Sequence, residues 1–173
     1  VRVLPAPPRN RRLSRLMRAL LLLVVLLVPF AGAQALPMLD AVRWGQLESV
    51  NRAVNTLPAA SDRARFGVDE FWELADGSGG DCEDKALAAR AALLAQGWPA
   101  ESLRLALAWT EAHELHAVLT IEVENDFGRA TYVLDSRFPW VLAWDALSRS
   151  GYTWLTRQAG DGHWRKIASP LNR

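Results

Sequence analysis

The chain has 173 residues, of which half are apolar and 23% are charged, and its formal net charge is +1. These proportions are typical of an ordinary globular chain. The chain has a single cysteine, which excludes an internal disulfide.

The N-terminal part has the pattern of a secretory signal peptide. From Met17 the chain runs through one arginine, an apolar stretch over residues 19–30 and small residues at Ala-x-Ala spacing over 31–35. The apolar stretch is too short for a comfortable membrane span, and the alternative is an uncleaved N-terminal anchor. Residues 1–16 are basic and begin with Val, so Met17 is the more natural start. We expect residues 1–35 to be removed from an exported protein.

Without this leader, the predicted mature domain over residues 36–173 is acidic. Six of the 20 basic residues lie before residue 36 and all 19 acidic residues lie after it, which leaves 14 basic residues and a net charge of −5. No basic patch remains to indicate nucleic-acid binding. A chain of this length is long enough for one domain with its own core.

A first amphipathic helix is predicted over residues 40–57. Its apolar residues recur at spacings of three and four, Asp40 is a suitable N-cap, and Pro58 lies just beyond the end. A weaker segment predicts a short helix over Val68–Leu74, and the composition of residues 76–80 predicts a loop.

The strongest helix prediction is Cys82–Gln96. This segment is rich in Ala and Leu, and Gly97 is a natural residue at which a helix ends. Cys82, Ala86 and Ala89 fall on one stripe of the helix. Their small side chains would let the cysteine end of the helix pack closely on a sheet.

Three strands follow in the sequence. Alternating or continuous apolar residues predict strands over Leu103–Trp109, Leu115–Glu124 and Ala130–Leu134, and residues 125–128 form a turn between the last two. Helices followed by an antiparallel meander predict the α+β class. Beyond Pro139, five large aromatic residues predict either the cap of a small core, which we favour, or a substrate groove.

The lone cysteine is a candidate nucleophile. Cys82 begins a predicted helix, and the partial positive charge of a helix N-terminus favours a thiolate. The alternative is a structural cysteine, since free cysteines are often small buried apolar residues. Asp81, Glu83 and Asp84 oppose thiolate formation by charge repulsion. A bound cation would resolve that conflict.

A thiol nucleophile needs a base, and His116 is the preferred candidate among three histidines. If the turn centres near residues 125 and 126, Asp135 lies directly opposite His116 in the hairpin and can orient the imidazole. His113, in the preceding loop, is the second candidate base, and His163 is expected on the surface.

The chain resembles the bacterial transglutaminase-like cysteine proteinases, the LapG-like periplasmic adhesin proteases. The resemblance covers nearly all of residues 40–155. It rests on the motif Gly80-Asp81-Cys82-Glu83-Asp84 with its Ala-rich helix, on Leu103-Arg104-Leu105, on His116-Ala117-Val118-Leu119, on Val133-Leu134-Asp135, and on Trp44, Asn51 and Asn55. Two positions depart from the family pattern: Lys85 replaces an aromatic residue, and Ser136 replaces the more usual Asn.

The resemblance implies a papain-like or transglutaminase-like core, in which the nucleophile begins a helix packed on an antiparallel sheet. It implies a catalytic triad of Cys82, His116 and Asp135. It also implies calcium beside the nucleophile, bound by Asp81 and Glu83, whereas the plain alternative for these two acids is favourable charge at a helix N-terminus. The expected location is the periplasm. The expected substrate is a protein, in the best-known members a large surface adhesin cut at an Ala-Ala site, and a membrane receptor can act as an inhibitory partner.

Two other functions stay open at the level of sequence. The same three residues would support acyl transfer to an amine, as in transglutaminases, and only the second nucleophile would differ. A non-catalytic module that binds a peptide or calcium is the other alternative. The intact Cys82, His116 and Asp135 argue against that module, and we expect an exported cysteine peptidase.

Overall fold

The structure, a computed structural model, describes residues 35–168. The predicted signal peptide over residues 1–35 therefore lies outside the described residues, apart from its last residue. Within the described part of the chain, no helix is long and apolar enough to cross a membrane.

The described residues form helices first and then a sheet. The helices are α1 (Ala41–Asn55), α2 (Asp62–Phe66), α3 (Cys82–Ala95) and α4 (Trp144–Arg149), with a 3-10 turn at Ala100–Ser102. The strands are β1 (Leu103–Trp109), β2 (Leu115–Asn125), β3 (Gly128–Leu134), β4 (Leu142–Ala143), β5 (Thr153–Gln158) and β6 (Trp164–Lys166). The predicted helix at Cys82 and the three predicted strands agree with these bounds to within two residues.

The six strands form one sheet in the order β4-β3-β2-β1-β5-β6. Every neighbouring pair is antiparallel. Helices α1 and α3 pack together, and α3 also contacts β2 and β1 at the centre of the sheet. This is the predicted α+β architecture, with the cysteine-bearing helix against the two central strands.

Helix α1 forms as its sequence pattern predicts. The carboxylate of Asp40 accepts a hydrogen bond from the backbone N of Arg43 and so caps the helix. Leu47, Val50 and Val54 are buried against the α3 face of the core. Burying each of these aliphatic side chains stabilises the fold by about 1.5–3 kcal/mol.

The short helix predicted over Val68–Leu74 is wrong. The structure places its short helix earlier, at α2, where Ser61 is the N-cap and Gly67 ends the helix with a left-handed φ of 77°. The backbone N–H groups of Phe71 and Glu73 instead donate to the carboxylates of Asp62 and Asp84. Because these side chains satisfy the backbone N–H groups, the segment does not require the backbone hydrogen bonds of a helix.

The register of the β2–β3 hairpin also differs from the prediction. Leu119 pairs with Leu134, and continuing that register places Val118, not His116, opposite Asp135. The two-residue turn lies one residue later than predicted, which moves the pairing by two residues. Because side chains alternate with a period of two, this even shift keeps His116 and Asp135 on the same face.

The sheet has a core on each face. The larger core lies under α1 and α3, and the smaller core on the opposite face contains Tyr152 and Trp154, which are 4% and 8% exposed. The favoured core interpretation of the late aromatic residues therefore holds for these two. Trp140 and Trp164 are exposed instead.

The loop before α3 is held by backbone contacts that only glycine permits. Gly79 has a φ of 102°, and a Cβ atom there would lie 2.7 Å from the carbonyl oxygen of Pro58. The next residue, Gly80, donates its N–H to that same oxygen at 3.1 Å and accepts from Ala60 N. These contacts set the place at which Cys82 begins its helix.

We therefore expect Gly79→Ala to lower the free energy of unfolding by about 2 kcal/mol, from backbone strain and the clash with Pro58. Gly77→Ala is the matched control, because a Cβ at Gly77 meets nothing within 4 Å and its φ is not left-handed. That control should change the stability by less than about 0.5 kcal/mol. Equal losses for the two variants in urea unfolding would contradict this account of the loop.

Candidate active site

Cys82 is the first residue of α3, and its thiol lies against the first turn of the helix and the start of β2. The backbone N of Ala117 donates to its Sγ at 3.4 Å. The thiol in turn donates to Oε2 of Glu83 at 3.1 Å. The residue before Ala117 is His116, so the helix end brings Cys82 to the segment that carries the predicted base.

The surroundings of Cys82 favour the neutral thiol. Burial, followed by the hydrogen bond to Glu83 and the charges of Glu83 and Asp81, raises the pKa of Cys82 to about 12, although the Ala117 N–H lowers it. The thiolate expected from the helix N-terminus alone is therefore outweighed by desolvation and by the flanking acids. The structure therefore contains the predicted opposition between the helix N-terminus, which favours the thiolate, and the flanking acids, which disfavour it.

His116 and Asp135 form a buried pair. Nε2 of His116 lies 2.8 Å from Oδ1 of Asp135, and the two side chains are 8% and 1% exposed. Burial would raise the pKa of Asp135, but the hydrogen bond and charge of His116 lower it below its ordinary value. A carboxylate on one imidazole nitrogen leaves Nδ1 as the nitrogen that can exchange a proton with a thiol.

The other two histidines lie apart from this pair. His113 is exposed in the loop between β1 and β2, with a left-handed φ of 60°, and His163 is exposed near the start of β6. Neither forms a side-chain hydrogen bond to Cys82 or Asp135 within residues 35–168. His116 is therefore the histidine that a carboxylate orients.

Of the two acids that the resemblance implies as calcium ligands, Asp81 lies in a cluster of three acids. Oxygen atoms of Asp62, Asp81 and Asp84 all lie within 4.8 Å of one another, a spacing at which they could share a metal ion. Glu83 does not belong to this acidic cluster, because its carboxylate faces the Cys82 thiol. Oδ1 of Asp62 and Oδ1 of Asp81 are buried and have no hydrogen-bond partner among the described residues.

These orphaned oxygens fit a hard cation. Calcium prefers carboxylate and carbonyl oxygens, and buried carboxylates without partners are costly unless a cation or donor satisfies them. One member of the cluster is already engaged, since Asp84 pairs with Arg65. The donor set of the acidic cluster is therefore suitable for calcium.

Four residues around Asp135 were not assigned a role from the sequence. The side-chain amides of Asn51 and Asn55 in α1 donate to the carbonyl oxygen of Phe138 at 3.0 and 2.6 Å. Tyr152 and Arg137 bond to the Asp135 carboxylate through the tyrosine hydroxyl and the arginine backbone N. The two asparagines belonged to the family resemblance, but no local pattern marked Tyr152 or Arg137.

A small cavity of about 10 Å³ lies beside Cys82. Ala86 and Ala117 line it, together with the two residues that depart from the family pattern, Lys85 and Ser136. That volume is about enough for one water molecule. The space immediately next to the thiol is therefore small.

One protein-family model and several solved structures match this chain. The family model described as bacterial transglutaminase-like cysteine proteinase matches residues 31–171. Among solved structures, calcium-bound LapG of Legionella pneumophila is 26% identical, with a TM-score of 0.57, covering 74% of this chain and 73% of that one. Another structure of Legionella pneumophila LapG is 24% identical, with a TM-score of 0.56 and coverages of 72% and 69%.

A third, EGTA-treated LapG structure from the same organism is 25% identical, with a TM-score of 0.52 and coverages of 65% and 61%. No curated protein sequence matches this chain significantly. The family match over residues 31–171 covers well over half of the 173 residues, and the structural matches share the mixed helix and antiparallel-sheet fold. The chain therefore belongs to the bacterial transglutaminase-like cysteine proteinases and is a cysteine peptidase.

Proposed function

We propose that this cysteine peptidase hydrolyses a protein substrate with Cys82 as nucleophile, His116 as general base and acid, and Asp135 as the residue that orients His116. The observation that carries the proposal is the buried hydrogen bond of 2.8 Å between His116 and Asp135. It is supported by the contact of Cys82 Sγ with the backbone N of Ala117, the residue that follows His116.

In this mechanism, His116 takes the thiol proton and the sulfur of Cys82 attacks the peptide carbonyl carbon. The C–S bond forms, the C–N bond breaks, and the imidazolium gives its proton to the leaving amine. Water then attacks the thioester with His116 again as base, which releases the acid and restores the thiol. The backbone N–H of Cys82 has no partner within its helix, so it is a suitable donor to the oxyanion.

The peptidase is proposed to require calcium. Asp62, Asp81 and Asp84 would hold the ion, and Glu83 is a further candidate ligand if its carboxylate turns away from the thiol. A divalent cation there would supply positive charge that offsets the acids flanking Cys82 and favours its thiolate. The calcium-bound LapG structure supports this assignment, because that protein shares the fold.

The proposed location is the periplasm, reached through the signal peptide predicted over residues 1–35. The family resemblance supports a large surface adhesin as substrate and an inhibitory membrane receptor as partner. The same resemblance supports a cleavage site between small residues such as Ala-Ala.

Substitutions in the triad should reduce peptide cleavage. Cys82→Ala should lower cleavage of a peptide that carries an Ala-Ala bond by about 10⁴-fold or more, because the nucleophile is lost. Asp135→Asn should lower kcat by about 10²–10⁴-fold, because the amide no longer holds the imidazole in the required tautomer. Mass spectrometry of the products measures both effects.

His113→Ala is the control for these variants, since His113 is exposed and was the second candidate base. It should retain activity within about twofold, as surface substitutions usually do. Full activity in Cys82→Ala, or loss of activity in His113→Ala with His116→Ala active, would contradict the proposed roles.

Calcium should change the pH at which the Cys82 thiol ionises. Because burial and the flanking acids raise the pKa of this thiol, a cation beside them should lower it. Iodoacetamide should therefore alkylate Cys82 at lower pH with calcium than with EGTA. Since the chain has one cysteine, the whole signal belongs to this residue.

Asp62→Asn removes one of the proposed ligands, so about tenfold more calcium should be needed for the same shift, a difference of about 1.4 kcal/mol in binding. Asp126→Asn changes an exposed acid in the β2–β3 turn and should leave the calcium requirement unchanged. A pH profile that is identical with calcium and with EGTA would remove calcium from the proposal.

A further inference from the structure

The buried carboxylate of Asp135 is held on both of its oxygens. Oδ1 accepts from Nε2 of His116 and from the backbone N of Arg137, each at 2.8 Å. Oδ2 accepts from the hydroxyl of Tyr152 at 2.7 Å, which is its only hydrogen bond within residues 35–168. If the Tyr152 hydroxyl is removed, one oxygen of a carboxylate that is 1% exposed has no partner, and only the two bonds to Oδ1 still resist its rotation.

The hydroxyl of Tyr152 has only one orientation that satisfies its neighbours. Nη1 of Arg137 lies 2.8 Å from the Tyr152 oxygen, and a guanidinium can only donate hydrogen bonds. The tyrosine oxygen therefore accepts from Arg137, and its single proton is left for Asp135. The Arg137 guanidinium thus directs the tyrosine proton towards the buried carboxylate.

Arg137 is itself fixed by a second contact. Its guanidinium donates two hydrogen bonds to the carboxylate of Glu111, at 3.0 Å from Nη1 and 2.5 Å from Nη2. These hydrogen bonds from Arg137 hold the pKa of Glu111 well below its usual range. Glu111 lies in the loop that leads into His116, so one arginine connects the segment before the histidine to the segment after the aspartate.

The ring of Tyr152 also contacts the site. It is 4% exposed and packs edge-on against the His116 imidazole, with ring centroids 6.4 Å apart and an interplanar angle of 83°. The preceding residue, Gly151, has a φ of 109°, a backbone conformation that glycine adopts readily. The chain therefore turns at Gly151 to point Tyr152 into the smaller core beneath the histidine.

We propose that Tyr152 is a positioning residue of the peptidase, which fixes the rotation of Asp135 and through it the orientation of His116, with Arg137 directing the tyrosine proton. This proposal rests on the proposed roles of His116 and Asp135. It assigns Tyr152 no contact with the substrate and no proton transfer in the reaction.

The test compares Tyr152→Phe with Tyr132→Phe in the calcium-loaded protein. These are the two tyrosines of the chain, and Tyr132 packs edge-on against Trp44 rather than against the histidine. Tyr152→Phe should slow the iodoacetamide alkylation of Cys82 at neutral pH by about tenfold, the effect of one hydrogen bond to a charged group. Tyr132→Phe should stay within about twofold of the parent protein.

A spectroscopic readout separates positioning from a general loss of stability. The proton between Nε2 of His116 and Asp135 should give a resolved NMR signal in the parent and in Tyr132→Phe. In Tyr152→Phe that signal should shift and exchange faster with water, while circular dichroism shows both variants folded. An unchanged alkylation rate in folded Tyr152→Phe would overturn the proposal, whether or not the signal shifts.

Arg137→Met keeps the inference testable if Tyr152→Phe does not fold. Because Arg137 is proposed to act through the tyrosine hydroxyl, its loss should slow alkylation by about threefold, a fraction of the effect of one charged hydrogen bond. In a folded Tyr152→Phe background, the same change should have little further effect. Fully additive losses, or no loss in Arg137→Met, would contradict the proposed chain of contacts.

His116→Ala distinguishes a failure of the proposed triad from a failure of the positioning role of Tyr152. If His116→Ala alkylates as fast as the parent, the proposed function of the triad fails. If His116→Ala is slow and Tyr152→Phe is as fast as the parent, the triad stands and only the positioning role of Tyr152 fails.

Discussion

The arrangement around Asp135 depends on one physical constraint, which is that a buried carboxylate needs hydrogen-bond donors. The donors are His116 in β2, Tyr152 immediately before β5, and the backbone N of Arg137. Helix α1 adds support, since Asn55 donates to the carbonyl oxygen of Phe138 in the same loop. Segments far apart in the sequence therefore contact one side chain, Asp135. The hydrogen bond from His116 to this fixed carboxylate determines the position of the imidazole.

A second constraint acts at the other side of the site, where Cys82 begins α3 between two acids. The helix N-terminus contributes roughly half a positive charge, but burial and the flanking carboxylates outweigh it and keep the thiol neutral. One of these acids, Asp81, also belongs to the acidic cluster, in which two buried oxygens have no partner among the described residues. Asp81 thus contributes both to the raised pKa of Cys82 and to a donor set suited to calcium.

Most secondary structure was predictable because it follows from local periodicity and capping. Helix α3 ends one residue before its predicted end, and β1 has its predicted bounds. The helix predicted over Val68–Leu74 failed because carboxylates from α2 and α3 bond its backbone. The hairpin register failed because a turn one residue later moves every pair by two, which composition does not reveal.

The sequence by itself determined the α+β class, the family and the residue types available for thiol chemistry, because these depend on local patterns and on short motifs around Cys82 and His116. Only the tertiary structure decided which acids group together, and it joined Asp81 to Asp62 and Asp84 while turning Glu83 to the thiol. Only the tertiary structure brought Tyr152 to Asp135. The physical reason is that burial, hydrogen bonds to buried carboxylates and ion pairs all depend on contacts between segments that are far apart along the chain. No local sequence pattern predicts those contacts.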